Sequence, residues 1–130
     1  MDLGCGTGDV ATLLAKKASN IVSIDFNNDV IEFAKQVNGL SNVQYICKDL
    51  KKINELELPL ADGIWSSFTV AFFPNFTPIL RSWLNLLKPG GWIAFVEMND
   101  LFAHRPIDLS IENTFKSYYQ RQRNNNVLRF

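Results

Sequence analysis

The stretch Asp2-Leu3-Gly4-Cys5-Gly6-Thr7-Gly8 decides the fold of this chain. An acidic residue stands at the end of a short apolar segment, and glycines at alternate positions then lead into a helix that opens at Asp9. Glycine suits positions where the backbone takes positive φ or lies close to a ligand, because it has no Cβ. The stretch therefore predicts a turn that presents backbone N–H groups and a helix N-terminus to a bound molecule.

The chain begins inside this feature, because only Met1 precedes Asp2. A buried strand normally has about 4–8 residues. We therefore expect that strand one is cut short and that the sequence represents part of a longer domain.

Length, composition and charge indicate one globular domain over residues 1–130. The hydrophobic fraction of 47% and the charged fraction of 20% are ordinary for such a domain. The 13 basic side chains balance 13 acidic ones, so no overall field attracts nucleic acid or an anionic membrane. Neither partner is expected.

The cysteine count and the apolar runs bear on the cellular setting. Cys5 and Cys47 match no metal-binding spacing, so no metal site is expected and both are predicted to be reduced thiols. No apolar run reaches the roughly 18 residues of a membrane span, and no signal peptide is visible. A cytoplasmic protein is the resulting expectation.

Short apolar runs alternate with helical patterns along the chain, which is typical of βαβ units on a parallel sheet. The fold class predicted is α/β, with a Rossmann-like, doubly wound, mostly parallel sheet of about five strands and helices on both faces. Beyond strand one, strands are predicted at 21–25, 43–47, 63–68 and 92–97. Helices are predicted over 9–18, from Asn27 or Asn28 to Gly39, from Thr77 to the turn 88–91, and over roughly 108–123.

Three carboxylates follow the predicted strands at the points where those strands end. They belong to Asp2, Asp25 and Asp49, and Ser66-Ser67 close the fourth strand. Ligands of open parallel sheets bind beyond the carboxyl ends of the strands. Carboxylates beside an N–H-donating turn suit a ligand with ribose hydroxyls, an adenine amino group and an ammonium, and they suit a pyrophosphate poorly.

The segment 2–8 could also belong to a nicotinamide-dependent oxidoreductase, which binds a dinucleotide. A dinucleotide fingerprint has the pattern Gly-x-Gly-x-x-Gly, whereas Gly4, Gly6 and Gly8 alternate and Asp9 places a negative charge where a pyrophosphate would lie. A carboxylate such as Asp25 serves the ribose in either cofactor class. The glycine spacing and Asp9 therefore disfavour this reading.

These motifs resemble those of the class I S-adenosylmethionine-dependent methyltransferases, most closely the small-molecule type. The resemblance covers about residues 1–98. The matching pieces, in order, are the glycine motif, Ile24-Asp25-Phe26, Lys48-Asp49-Leu50, the segment 62–67 and Leu87-Lys88-Pro89-Gly90-Gly91.

The resemblance implies S-adenosyl-L-methionine as the cofactor and a set of residues that bind it. Asp2 would help hold the methionine ammonium, Asp25 the ribose hydroxyls, and Asp49 the adenine amino group. Gly4 and Gly6 would pass under the cofactor, the Leu50 backbone would lie beside the adenine, and Ser66 would lie next to the methionine. The full set implied is Asp2, Gly4, Cys5, Gly6, Asp25, Phe26, Asp49, Leu50 and Ser66.

The substrate side is less legible, and no catalytic residue is assigned. Aromatic rings near strand four can line an acceptor pocket or attract a sulfonium, although packing in the core is the more common role of such rings. Glu97 and His104 are candidate general bases. Ala71 stands where the family often has a histidine, and the tetrad of nucleic-acid methyltransferases is absent. The aromatic candidates are Trp65, Phe68, Phe72, Phe73 and Phe76, whereas Tyr118 and Tyr119 are expected to pack.

The sequence thus predicts a methyltransferase with an unidentified, small-molecule acceptor. The alternative is a non-catalytic fragment that keeps the cofactor-binding fold and acts through contacts. Family members add an antiparallel hairpin after strand five, and this chain ends near the start of strand six. Strand five would then be an edge with unpaired backbone groups, so self-association is expected.

Overall fold

The computed structural model describes residues 1–98, together with Asn113 and Ser117. The strands of the described part are β1 (Asp2–Leu3), β2 (Ile21–Asp25), β3 (Val43–Cys47), β4 (Ala61–Ser67) and β5 (Leu87–Val96). They form one sheet in the order β3-β2-β1-β4-β5, and every neighbouring pair is parallel. The strand order reverses between β1 and β4, which is where open α/β sheets bind ligands.

Three helices connect these strands: α1 (Asp9–Ala15), α2 (Asn28–Val37) and α3 (Thr77–Leu84). Short 3₁₀ segments at Leu50–Glu55 and Val70–Phe72 follow β3 and β4. The helix α2 begins where predicted, because Asn27 Oδ1 accepts hydrogen bonds from the N–H groups of the next turn. Pro78 lies in the first turn of α3, where its missing N–H costs nothing.

Alternate side chains of each strand point to opposite faces of the sheet. Apolar side chains lie on both faces, and helices cover each of them. Helices α1 and α2 pack on one face, and α3 packs with the 3₁₀ segment 50–55 on the other. The first core contains Cys5, Ala11, Ile21, Ile31, Ala34 and Tyr45. The second contains Leu3, Ile24, Leu50, Ile53, Ile64, Trp83 and Leu86. The doubly wound α/β fold predicted from the sequence is confirmed.

Element boundaries follow the sequence pattern, with differences of a few residues at the ends of α1, β4, α3 and β5. The helix predicted over 9–18 ends at Ala15 and closes in a turn. Strand β5 starts at Leu87, so the predicted turn 88–91 lies within it as an irregularity: Ala61 pairs with Leu87, but Gly63 pairs with Trp92. The extra residues bulge out of the ladder.

The predicted helix over 108–123 falls almost wholly outside the described residues. Within it, Asn113 and Ser117 are both helical, and the Ser117 hydroxyl donates to the Asn113 carbonyl at 2.8 Å. Among the described residues, no helix is long and apolar enough to cross a membrane.

Candidate functional site

The segment Gly4–Gly8, called the glycine turn below, is fixed to the end of β2. The backbone N–H groups of Gly4 and Cys5 both donate to the Ile24 carbonyl, at 2.8 and 3.1 Å. All three glycines have positive φ, of 79°, 52° and 85° along the chain. The turn thus leaves β1, bonds to the neighbouring strand and enters α1 at the point where the strand order reverses.

Two glycines of this turn differ in what surrounds them. A Cβ built on Gly6 would meet no atom within 4 Å, whereas one on Gly4 would overlap the side chain of Thr69. Gly6 therefore faces open space at the sheet edge, where a ligand can approach the bare backbone. Gly4 instead provides room for a side chain from the segment after β4.

Asp25 links the glycine turn to α2 through both of its carboxylate oxygens. Oδ2 accepts a hydrogen bond from the Gly6 N–H at 3.0 Å, and Oδ1 accepts one from the Asn27 N–H at 3.0 Å. A carboxylate has about four lone-pair sites, so each oxygen retains the capacity to accept from a ligand hydroxyl. Phe26, the next residue, is 75% exposed beside it.

Asp2 is a buried carboxylate without a hydrogen-bond partner in the described part of the chain. Its side chain is 1% exposed, and neither oxygen has a hydrogen-bond partner among the described residues. Burial raises the pKa of Asp2 from its ordinary 3.8 to about 7, and the charge of Asp25 adds to this against the opposing effect of the N-terminal ammonium. Leaving such a group unpaired is costly, so this position favours a cationic ligand group.

The strands on either side of Asp2 place two more polar groups in the same row. Ser23 of β2 and Trp65 of β4 are the register partners of Asp2, and paired residues of parallel strands share a face. The Ser23 hydroxyl and the Trp65 indole N–H are also buried without a partner in the described part of the chain. Sequence reasoning misses Ser23, because its place beside Asp2 depends on strand register.

Asp49 and Leu50 lie after β3, at the far side of β2 from the glycine turn. Asp49 is exposed, and its Oδ1 accepts from the Lys51 N–H at 2.9 Å, which starts the 3₁₀ segment. The Leu50 side chain is buried in the core. The sequence interpretation involves only the Leu50 backbone, and its contact with an adenine stays a prediction.

Ser66 is brought near the glycine turn, but its side chain points into the protein. It is fully buried, and its hydroxyl donates to the Leu3 carbonyl at 2.8 Å. This bond joins β4 to β1 at the strand-order reversal. The Ser66 hydroxyl is thus engaged within the protein.

The segment Phe68–Val70, called the post-β4 turn below, is held by Glu97 at the end of β5. Glu97 Oε1 accepts hydrogen bonds from the N–H groups of Thr69 and Val70, at 2.8 and 2.7 Å. Phe68 has a φ of 51°, and no other described non-glycine residue has a positive φ. Both N–H donors bind one oxygen of the Glu97 carboxylate, so this geometry supports a structural role for Glu97.

The aromatic candidates divide into two groups. Phe73 and Phe76 pack against Trp83, with ring centroids 6.0 and 5.3 Å apart, so they belong to the core. Phe68 and Phe72 are 54% and 72% exposed. Trp65 is half-buried in β4. The candidates His104, Tyr118 and Tyr119 lie outside the described residues.

The thiol of Cys5 is buried behind the glycine turn, on the face covered by α1 and α2. Burial and the neighbouring carboxylates raise the pKa of this thiol well above its usual range. Both cysteines are free. Any ligand contact of Cys5 would therefore come from its backbone.

Comparisons with known proteins identify relatives of this chain. The model of the family described as methyltransferase domain matches residues 1–95. The demethylmenaquinone methyltransferase of Lactobacillus johnsonii is 28% identical over 92% of this chain and 50% of its own length. The ubiquinone/menaquinone biosynthesis C-methyltransferase UbiE of Wigglesworthia glossinidia brevipalpis is 34% identical over 76% of this chain and 42% of its own length.

Solved structures give the same answer about the fold. A complex of DhpI with SAH superposes with a TM-score of 0.68 at 26% identity, covering 76% of this chain and 48% of DhpI. The plantazolicin methyltransferase BpumL, with a desmethylPZN analog and SAH, also has a TM-score of 0.68, at 25% identity over 75% of this chain and 38% of its own. The chain thus spans about half the length of the curated relatives it matches.

Proposed function

Because this chain belongs to the methyltransferase domain family, we propose that it is the cofactor-binding part of an S-adenosyl-L-methionine-dependent methyltransferase with a small-molecule acceptor. The carrying observation is the buried carboxylate of Asp2, which has no hydrogen-bond partner among the described residues, together with the open backbone of Gly6 in the turn that follows it. An ammonium would satisfy that carboxylate, and the bare turn admits the chain that carries it. The relatives named above are methyltransferases, and two of the solved neighbours hold SAH.

The polar groups fit the three parts of such a cofactor in the order of the strands. Asp2 on β1 would hold the methionine ammonium, Asp25 on β2 the ribose hydroxyls, and Asp49 after β3 the adenine amino group. The free lone pairs of Asp25 and the exposed side chain of Asp49 support these roles. Phe26 and the Leu50 backbone would flank the nucleoside, and the Gly4–Gly6 backbone, with Cys5, would underlie the methionine.

When bound, S-adenosyl-L-methionine supplies an electrophilic methyl group on a sulfonium. The protein must then hold the acceptor atom about 3 Å from that methyl in the right direction and exclude water. In this chain the exposed rings of Phe68 and Phe72 offer an apolar surface beside the carboxyl end of β4. They favour an acceptor with an apolar or aromatic body, and the quinone-related names of the sequence relatives point the same way.

The remaining parts of the proposal concern the protein in the cell. We infer one domain over residues 1–130, a cytoplasmic location, and no nucleic-acid partner, which the balanced charge supports. In the described part, β5 is an outer strand of the sheet. Its outer edge is unpaired within residues 1–98, and this supports self-association.

Calorimetric titration of the chain with S-adenosylhomocysteine, and separately with NAD, tests the cofactor class. We expect saturable binding of S-adenosylhomocysteine at one site per chain and no binding of NAD. Binding of NAD alone would overturn the proposal.

Methyl transfer separates the enzyme from the non-catalytic alternative. Radiolabelled S-adenosyl-L-methionine and a demethylated naphthoquinol serve as donor and acceptor. Label appearing in the quinol supports the enzyme. Tight binding of S-adenosylhomocysteine without transfer to this or other small aromatic acceptors would favour a binding module.

A further inference from the structure

Glu97 connects the end of β5 to the post-β4 turn through two hydrogen bonds. Its Oε1 accepts from the Thr69 and Val70 N–H groups, at 2.8 and 2.7 Å. The preceding Phe68 N–H donates to the Val96 carbonyl at 2.8 Å, so the post-β4 turn is bonded to β5 on both sides of Phe68. Hydrogen bonds to a carboxylate are stronger than those between neutral groups.

The backbone that these bonds hold is strained. Phe68 adopts a φ of 51° with an ordinary side chain, a conformation that costs of order 1–2 kcal/mol for a residue other than glycine. Such strain persists only where the surroundings over-determine it, and it clusters at ligand-binding sites. Here the determining groups are Glu97 and the Thr69 hydroxyl, which donates to the Ser67 carbonyl at 2.9 Å.

The same turn lies directly against the glycine turn. The Thr69 side chain fills the space where a Cβ of Gly4 would lie. A shift of Thr69 would therefore remove the side chain that packs against Gly4. Gly4 is two residues after Asp2 in the sequence. By contrast, Asp25 and Asp49 lie on the opposite side of β1, because the strand order is β3-β2-β1-β4-β5.

We propose that Glu97 is a positioning residue, which locks the post-β4 turn against Gly4 and so sets the affinity of the site for the methionine end of the cofactor. The affinity part of this proposal rests on the proposed function, whereas the locking of Gly4 does not. Glu97 acts through Thr69 and Gly4 and needs no contact with the cofactor itself.

The test compares two ligands that differ only at the methionine end. S-adenosylhomocysteine carries the amino-acid portion, and 5′-methylthioadenosine lacks it. We expect Glu97→Ala to weaken binding of S-adenosylhomocysteine about tenfold, as the loss of charge-assisted hydrogen bonds implies, and to leave binding of methylthioadenosine within about twofold. General destabilisation of the fold would weaken the binding of both ligands to the same extent. That result would overturn the affinity part of the proposal.

Conservative and control variants sharpen the comparison. Glu97→Gln keeps a carbonyl oxygen that can accept both N–H groups, so it should restore most of the affinity. Glu57→Ala removes an exposed acidic side chain from the segment before β4, and it should leave the affinity for both ligands unchanged. If Glu97→Ala does not fold, Glu97→Asp, whose carboxylate is one methylene shorter, serves in its place.

Amide NMR spectra of the ligand-free chain test the locking of Gly4 independently. In Glu97→Ala, the Gly4 resonance should shift together with those of Thr69 and Val70, and it should stay in place in Glu97→Gln. An unmoved Gly4 resonance would overturn the locking. Failure of the unmodified chain to bind S-adenosylhomocysteine would overturn the proposed function and the affinity part, while the spectra still decide the locking.

Discussion

The backbone N–H of Gly6 donates a hydrogen bond to Asp25 Oδ2 at 3.0 Å, across the two strands that flank the candidate site. This bond helps to orient the carboxylate at the end of β2. Together with the bond from the Asn27 N–H to Oδ1, it fixes both carboxylate oxygens and leaves lone pairs on each for a ligand. The site is thus preorganised by main-chain donors, which a ligand does not have to displace.

Replacement of Asp25 by Asn tests the ribose assignment. The amide has one acceptor oxygen instead of two, so either the Gly6 or the Asn27 N–H loses its partner and the ligand hydroxyls lose a charged acceptor. We expect about a tenfold or greater loss of affinity for S-adenosylhomocysteine in calorimetry. Asp29→Asn, in the exposed first turn of α2, is the matched control and should bind normally. Unchanged affinity in Asp25→Asn would remove Asp25 from the site.

Replacement of Gly6 by alanine should mainly weaken cofactor binding, whereas replacement of Gly4 by alanine should mainly destabilise the fold. Gly6→Ala meets open space, so its cost to the free energy of unfolding is that of the positive φ, about 1–2 kcal/mol, whereas its methyl group would intrude on the cofactor. Gly4→Ala adds an overlap with Thr69 and should destabilise the fold much more. Thermal melts and titrations with S-adenosylhomocysteine separate the two. Equal destabilisation by both variants would contradict the finding that Gly6 faces open space and Gly4 packs against Thr69.

The raised pKa of Asp2 predicts a pH-dependent stability. The folded chain holds this proton up to about pH 7, whereas the unfolded chain loses it near 3.8. The contribution of Asp2 to stability is therefore complete below pH 3.8 and is lost as the pH rises to about 7, with a slope of at most about 1.4 kcal/mol per pH unit. Denaturant unfolding at several pH values measures it. In Asp2→Asn this slope should be absent, and an identical profile in both proteins would contradict the assignment.

Ligand binding should respond to pH in the opposite direction. An ammonium favours the charged form of Asp2, so binding of S-adenosylhomocysteine should release a proton below pH 7 and tighten as the pH rises from about 5 to 7. Calorimetry in buffers of different ionisation enthalpy counts that proton. Asp2→Asn should bind more weakly, without proton release.

Replacement of Ser66 should lower the stability of the fold without a matching loss of cofactor affinity. Ser66→Ala removes the hydrogen bond to the Leu3 carbonyl and leaves that carbonyl buried without it, which should cost about 1–3 kcal/mol of unfolding free energy. Because the side chain is buried, affinity for S-adenosylhomocysteine should stay within about threefold. A large loss of affinity with unchanged stability would instead indicate that the Ser66 side chain contacts the ligand. Ser67→Ala is the neighbouring control.

The fold was predictable because its signals are local. Strands β2 and β3 have the bounds that the apolar runs predict, and Asn27 caps α2 as its side-chain chemistry requires. The carboxylates at the strand ends were predictable for the same reason. Parallel strands bring such ends together whatever the details of packing.

What escaped prediction depends on neighbours that are distant in sequence. Thr69 meets Gly4 only because β4 lies beside β1, and Glu97 reaches the post-β4 turn only because β5 follows in the sheet. The direction of Ser66 had a usable signal, since period-two alternation puts it on the same face as the core residue Ile64. The strained φ of Phe68 has no sequence signal.

A crystal structure of the chain with S-adenosylhomocysteine tests the central claim most directly. The account predicts the ligand ammonium within about 3.2 Å of the Asp2 carboxylate, the ribose hydroxyls on Asp25, and the ligand chain crossing Gly6. A ligand bound elsewhere, or at this edge with its ammonium in solvent and Asp2 still unpartnered, would contradict it.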